Sequence, residues 1–275
     1  LGAAIALAGS SGSVSFNGYP LFAFCALIGF IFHWFAFIPS FFYPTEHFFD
    51  LTGSISYIVI VLFTFFALSD LDSRSLLIGI LIIIWAIRLG SFLFLRVKRE
   101  GKDNRFTVMI TKFWWFLFTW TIGGLWVFIT VAAALAAITS AKIVPLGWFA
   151  IIGVSLWLEG FIIEVVADNQ KSRFKLKEEK QHKFINEGLW SLSRHPNYFG
   201  EITLWLGIAI IAFPVLEGWQ LVTLISPVFV YILLTKISGI AMLEARADKK
   251  WGEDPEYQLY KEITPALIPM FKRKN

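Results

Sequence analysis

Seven long apolar runs divide the chain, at residues 20–38, 54–69, 75–95, 113–139, 145–167, 197–216 and 218–239. Each is near the length a helix needs to cross a bilayer, which predicts seven membrane spans. The second is short enough to be tilted or partly interfacial. Pro214 and Gly218 mark a very tight turn, which predicts a helical hairpin from the last two runs. No internal repeat and no linker interrupts the pattern. One domain over 1–275 is expected, with 1–19 as an N-terminal extension and 240–275 as a polar tail.

Composition sharpens this picture. Of 275 residues, 57% are hydrophobic, with 29 Phe and 12 Trp, and the mean hydropathy is +0.67. A soluble domain of this size is far more polar. The fold class is therefore all-α: a polytopic membrane protein built as a seven-transmembrane-helix bundle. The single Cys25 lies in an apolar run, which excludes an intramolecular disulfide and a cysteine-based metal site. The net charge of +4 is modest and is assigned to loops, not to nucleic-acid binding. Leu1 to Gly18 carry no basic region, so no cleaved signal peptide is expected. A start on Leu in place of Met leads one to expect a trimmed or partly ordered chain.

Charge sets the expected orientation. Basic residues concentrate in loop 96–112, in loop 168–196 and after residue 243, whereas the alternate loops hold only Arg74 and Lys142. With seven spans these basic regions share one side. The positive-inside rule makes it cytoplasmic, with the N-terminus outside. Loop 39–53, with Glu46, His47 and Asp50, falls on that side too. A multi-pass protein of the bacterial inner membrane is expected.

The densest polar chemistry lies at Ser193-Arg-His-Pro-Asn-Tyr-Phe-Gly-Glu201. Pro196 suits the first turn of a helix, where a missing N–H costs nothing. Arg194, His195 and Asn197 then cluster at a helix N-terminus, whose unpaired N–H groups and positive dipole favour phosphate. Tyr198 and Glu201 enter the first turn of an apolar span, where an ionisable residue is a functional candidate. Asn197 and Glu201 stand one turn apart and together offer a donor and an acceptor, as an amide ligand requires.

Other constellations surround this one. Arg88 lies inside an apolar run. It serves either as a snorkelling or ion-paired group, with Glu159, Glu164 or Asp168, or with Arg96 and Arg105 as a phosphate clamp. Glu164 and Asp168 share a helix face. They suit ribose hydroxyls, or a plain ion pair with Lys171 or Arg173. Glu244, Tyr257 and Tyr260 belong to the tail, where Trp251, Tyr257 and Tyr260 either anchor at the interface or contact an adenosine group. His33, in mid-run, reads as a packed structural histidine. The chain has no Gly-x-Gly-x-x-Gly, P-loop, His-Glu-x-x-His or Gly-x-Ser-x-Gly pattern, which excludes a Rossmann domain. A metal site is not expected.

Gly188-Leu-Trp190, the run from Ser193 to Glu201, the block from Asp168 to Phe174, and the tail from Glu244 to Pro269 together resemble the steroid 5-alpha-reductase superfamily, in its bacterial branch called DUF1295. The resemblance covers residues from about 85 to 269. It implies NADPH-dependent reduction of an activated C=C bond, of the enone type, in a lipophilic substrate such as a 3-oxo-steroid or related lipid. It implies cytoplasmic cofactor-binding loops, with Arg88, Arg96, Arg105, Lys171, Arg194 and His195 on phosphates. Glu164, Asp168, Asn197 and Glu201 would hold ribose and carboxamide, and Glu244, Tyr257 and Tyr260 would complete the cofactor site. The family's substrate-facing tyrosine, three residues before the arginine matched to Arg88, is here Trp85. That departure shifts proton donation to Glu46, Tyr57 or Tyr198. The expected partners are a lipophilic small molecule and membrane lipid, with the protein a monomer. Isoprenylcysteine carboxyl methyltransferases share a looser form of the Arg-His-Pro run, so an S-adenosylmethionine-dependent membrane methyltransferase is the alternative. A lipid-binding or scaffold protein is the non-enzymatic reading.

Overall fold

The computed structural model describes residues 1–100, 108–180 and 182–270. Among the described residues, seven helical segments are long and apolar enough to cross a membrane, and the protein is an all-α polytopic membrane protein. In chain order, α1 (Gly2–Ser10) leads through a small hairpin, β1 (Ser15–Phe16) and β2 (Tyr19–Pro20), into α2 (Leu21–Phe42), α3 (Phe49–Ala67) and α4 (Ser73–Glu100). Then follow α5 (Phe113–Ile138), α6 (Trp148–Leu176), α7 (Pro196–Ala212), α8 (Ile225–Ile232), α9 (Ile240–Trp251) and α10 (Pro255–Ile263). The expected N-terminal extension is thus α1 and the hairpin.

Several boundaries differ from the apolar runs. The second span starts at Phe49, so Asp50 sits in its first turn, where the helix dipole favours an acid. The fifth continues to Leu176 through a polar stretch. Tertiary contacts hold that extension: Phe174 is buried with Ala167, Ile185 and Trp190. The expected last hairpin is not one of continuous helices. Short 3-10 turns occupy Phe213–Val215 and Gly218–Leu224, and α8 gives way to a π-helical turn at Leu233–Ile237. The helix breaks before α9 at Gly239, where a Cβ would collide with the Leu234 carbonyl.

The described chain divides into two compact units, Leu1–Ala150 with Ala209–Ser226, and Ile151–Ile208 with Pro227–Asn275. In the first, α5 is the buried axis, with residues 127–138 enclosed. Arg74 stands in this unit, 2% exposed. Its guanidinium donates to the carbonyls of Ile211 at 2.5 Å, Pro145 at 3.0 Å and Val144 at 3.2 Å. A charge so buried needs such acceptors. One of these, Ile211, lies at the end of α7, where the helix leaves carbonyls unpaired.

In the second unit α6 and α7 cross at close range. A Cβ on Gly200 would meet Glu164 N at 2.7 Å, one on Gly160 would meet Leu204 N at 2.6 Å, and one on Gly207 would meet Trp157 N at 2.8 Å. Gly160 and Gly200 face one another, as do Gly153 and Gly207. Each step is seven residues, two helical turns. Small residues allow such approach where lipid gives no hydrophobic drive.

Candidate functional site

The α6–α7 contact brings the two acidic and amide groups of the second unit together. Asn197 Nδ2, in the first turn of α7, donates to Asp168 Oδ1 on α6 at 3.1 Å. Carboxylates only accept, so this bond fixes which way the Asn197 amide faces. Its Oδ1 is buried and has no hydrogen-bond partner among the described residues. Glu164, one turn from Asp168 on α6, is 2% exposed and Asp168 6%. Tyr198 and Glu201 are partly buried on α7.

The loop before α7 is moored to α6. Leu189 N donates to Gln170 Oε1 at 2.9 Å and Trp190 Nε1 to the Ala167 carbonyl at 3.0 Å. Lys171 Nζ lies 4.5 Å from the centroid of the Trp190 ring, a cation–π contact. Gly188 has φ +63°, and a Cβ there would lie 2.6 Å from Gln170 Nε2. Only glycine meets both demands.

A clasp from the C-terminal segment holds Arg194 and His195. The Arg194 guanidinium makes two hydrogen bonds to Glu244, through Nε and Nη2, each 3.1 Å. Its Nη1 donates to the carbonyls of Lys261 at 2.7 Å and Thr264 at 2.6 Å. His195 Nε2 meets Glu244 Oε1 at 2.8 Å. Burial pushes the imidazole below its ordinary value, against the opposing pull of Glu244. A carboxylate only accepts, so the ring donates to Glu244 through Nε2. Nδ1 is buried and has no hydrogen-bond partner among the described residues, and the ring stacks on Tyr198 at 5.7 Å and 10°.

The tail completes the clasp. Tyr260 Oη donates to the Trp190 carbonyl at 2.6 Å, and Tyr257 Oη to Asp248 at 3.0 Å. Burial raises both phenols, so both stay protonated donors. Lys261 Nζ bonds Asp248 at 2.6 Å and 2.7 Å. Beyond it, Ser193 Oγ donates to the Leu267 carbonyl at 2.8 Å, Arg194 N to the Pro265 carbonyl, and Met270 N to the Leu192 carbonyl. The sequence marks Glu244, Tyr257 and Tyr260, and its blocks at 168–174 and 244–269 contain Gln170 and Lys261, but their partners lie far off along the chain.

The first unit holds the remaining expected residues. Tyr57 on α3 and Trp85 on α4 are 8% and 2% exposed, with ring centroids 5.2 Å apart at 72°. Arg96 pairs with Asp50 at 3.6 Å. The Arg88 guanidinium stands 5.3 Å over the Phe92 ring. Glu46 is half-buried in the turn before α3, where its carbonyl accepts from Phe49 N at 2.9 Å. Arg105 lies outside the described residues. His33 is buried, with Nδ1 2.8 Å from the Gly29 carbonyl, as expected of a packed histidine.

Comparison with known proteins adds an independent line. The chain is 26% identical to 3-oxo-5-alpha-steroid 4-dehydrogenase 1 from Bos taurus, and equally to those from Mus musculus and Rattus norvegicus, over 117 residues in each case. That stretch is 42% of this chain and 40% of each relative, so the similarity spans about two-fifths of the curated relatives. No solved structure matches. Residues 36–264 match the family described as Protein of unknown function (DUF1295). The chain therefore belongs to the DUF1295 family, in keeping with the steroid 5-alpha-reductase superfamily.

Proposed function

We propose that the protein is a membrane oxidoreductase that reduces an activated C=C bond, of the enone type, in a lipophilic substrate, with NADPH as cofactor. The relatives' name describes dehydrogenation of a 3-oxo-steroid at position 4, and the reverse of that reaction reduces a double bond conjugated to a carbonyl. The observation that carries the cofactor is the Asn197 amide. With Nδ2 committed to Asp168, its unpaired Oδ1 fits an N–H of a nicotinamide carboxamide. An unpaired buried acceptor costs about 1–3 kcal/mol, which such a ligand would recover.

NADPH, when bound, supplies hydride to the alkene carbon beta to the carbonyl. In this proposal Glu164, Asp168 and Glu201 accept from ribose hydroxyls. Lys171 faces a phosphate, while His195, its Nε2 committed to Glu244, belongs to the clasp. Arg194, Glu244, Tyr257 and Tyr260, which bond chiefly to one another's segment, keep the loop before α7 in place. Negative charge grows on the substrate carbonyl oxygen, so a hydrogen-bond donor there stabilises the transition state. Tyr57, Glu46 and Tyr198 are the proposed donors. An indole such as Trp85 can donate but cannot deliver a proton at neutral pH.

We further infer that the basic loops and the C-terminus face the cytoplasm of a bacterial inner membrane, with the N-terminus outside, and that the protein acts as a monomer. The test is turnover in lipid nanodiscs with NADPH and testosterone, a 4-en-3-one, as probe. Loss of NADPH matched by a product carrying two added hydrogens supports the proposal. Methyl transfer from S-adenosylmethionine without NADPH oxidation overturns it.

A further inference from the structure

Helix α6 carries the acids Glu159, Glu164 and Asp168, and the last two point inward, where both are buried. Glu159 is exposed. Among the described residues it has no hydrogen-bond or ion-pair partner. From Trp148 to Ile163 no other residue is charged.

Two landmarks along α6 fix its depth. Asp168 accepts from Asn197 in the first turn of α7, so it stands level with the start of that span. At the other end Trp148 opens α6 and is 77% exposed, as indoles are at a membrane surface. At 1.5 Å per residue, Glu159 lies about 16 Å from Trp148 and about 13 Å from Asp168. Together these distances span a ~30 Å hydrocarbon core, with Glu159 near its middle. Unlike lysine, glutamate has too short a stem to reach either surface. The surface around it is apolar. Ile152, Ser155, Ile162 and Val166 recur with Glu159 at steps of three and four residues, all exposed. This stripe lies on the side of α6 roughly opposite the glycines that meet α7.

Hydrocarbon offers a carboxyl neither a hydrogen-bond donor nor a counter-charge, and acids within spans pair with an opposite charge or line a polar cavity. A lysine or arginine on a neighbouring helix supplies both donor and charge. Ser155 Oγ donates to the Ile151 carbonyl at 2.9 Å and so asks nothing of a neighbour. Its small side chain, one turn from Glu159, lets another helix come close. We propose that this stripe of α6 docks a membrane-spanning helix of another protein, which presents a basic side chain to Glu159 at mid-membrane. The proposal stands apart from the catalytic reading, because Asp168 and Asn197 lie on the other side of α6 and each chain keeps its own site.

Energy transfer in lipid vesicles tests it. The full chain carries a donor fluorophore on a C-terminal tag. The probe is a labelled synthetic helix of about 20 leucines, with or without one lysine at its centre. The lysine helix should associate with the wild type and bind Glu159→Leu roughly 3- to 20-fold more weakly, the range for one polar pair between helices in a membrane. Glu159→Gln, which keeps the size and loses the charge, should fall likewise. The helix without lysine should not distinguish the variants. Glu159→Leu continues the apolar stripe, so its thermal unfolding midpoint should match or exceed that of the wild type. A lower midpoint would place Glu159 in a contact within the chain and overturns the proposal. Equal binding of the lysine helix to wild type and Glu159→Leu, no binding to either, or binding kept in full by Glu159→Gln also overturns it. So does transfer between two labelled copies of the wild type that Glu159→Leu abolishes, since the stripe would then pair with itself.

Discussion

The Tyr57 ring meets the Trp85 ring edge-on, with centroids 5.2 Å apart. Trp85 stands where the resemblance led one to expect a tyrosine, and Tyr57 is the phenol packed against it. The hydroxyl absent from one helix is thus present on its neighbour. If Tyr57 stabilises the substrate oxyanion, Tyr57→Phe should lower kcat by about 100- to 1,000-fold, the loss seen on removing one oxyanion donor, while NADPH affinity stays unchanged. Trp85→Tyr in that background should restore part of kcat. Steady-state kinetics check both.

The clasp around Glu244 predicts stability effects. Glu244→Gln leaves Arg194, whose side chain is 14% exposed, without its counter-charge. Breaking one side of a buried pair costs about 3–5 kcal/mol, here reduced because the pair is not fully enclosed. Thermal unfolding in detergent should show a clear fall for Glu244→Gln and for Arg194→Met. Arg194→Met with Glu244→Leu should be more stable than either single variant, because it leaves no lone charge.

Burial holds His195 below its ordinary value of 6.5. A group with a lowered folded pKa is protonated first in the unfolded chain as pH falls. Stability from His195 is therefore complete above 6.5 and is lost as pH falls from there towards its folded value. The midpoint of thermal unfolding, followed from about pH 8 to about pH 5, should fall more steeply in the wild type than in His195→Gln.

Gly200 sets the separation of α6 and α7. Gly200→Ala places a Cβ 2.7 Å from Glu164 N, which backbone cannot yield cheaply. Overpacking of this kind costs about 1–3 kcal/mol, visible as a lower unfolding midpoint. Because the added group also shifts Asp168 relative to Asn197, the KM for NADPH should rise with it.

Much of this was legible in residue patterns. Long apolar runs announced the spans, and the turn-spaced Glu164 and Asp168 and the Pro196 start of α7 fixed one side of the site. The extension of α6 was hidden, since Gln170 and Phe174 are polar-flanked and become helical through partners near residue 189. The glycines at 153, 160, 200 and 207 gave no signal alone; their meaning is that they face each other in pairs. The partner of Arg194 was equally hidden, because Glu244 lies 50 residues on and beyond a broken helix.

Calorimetric titration of NADPH into the reconstituted protein, beside Asn197→Leu and with S-adenosylmethionine as the competing ligand, bears most directly on the Asn197 amide as a nicotinamide contact. The expected result is saturable NADPH binding, weakened about 5- to 150-fold in Asn197→Leu, as loss of about 1–3 kcal/mol requires, with no heat from S-adenosylmethionine. NADPH binding unchanged in Asn197→Leu, or S-adenosylmethionine binding in its place, would contradict it.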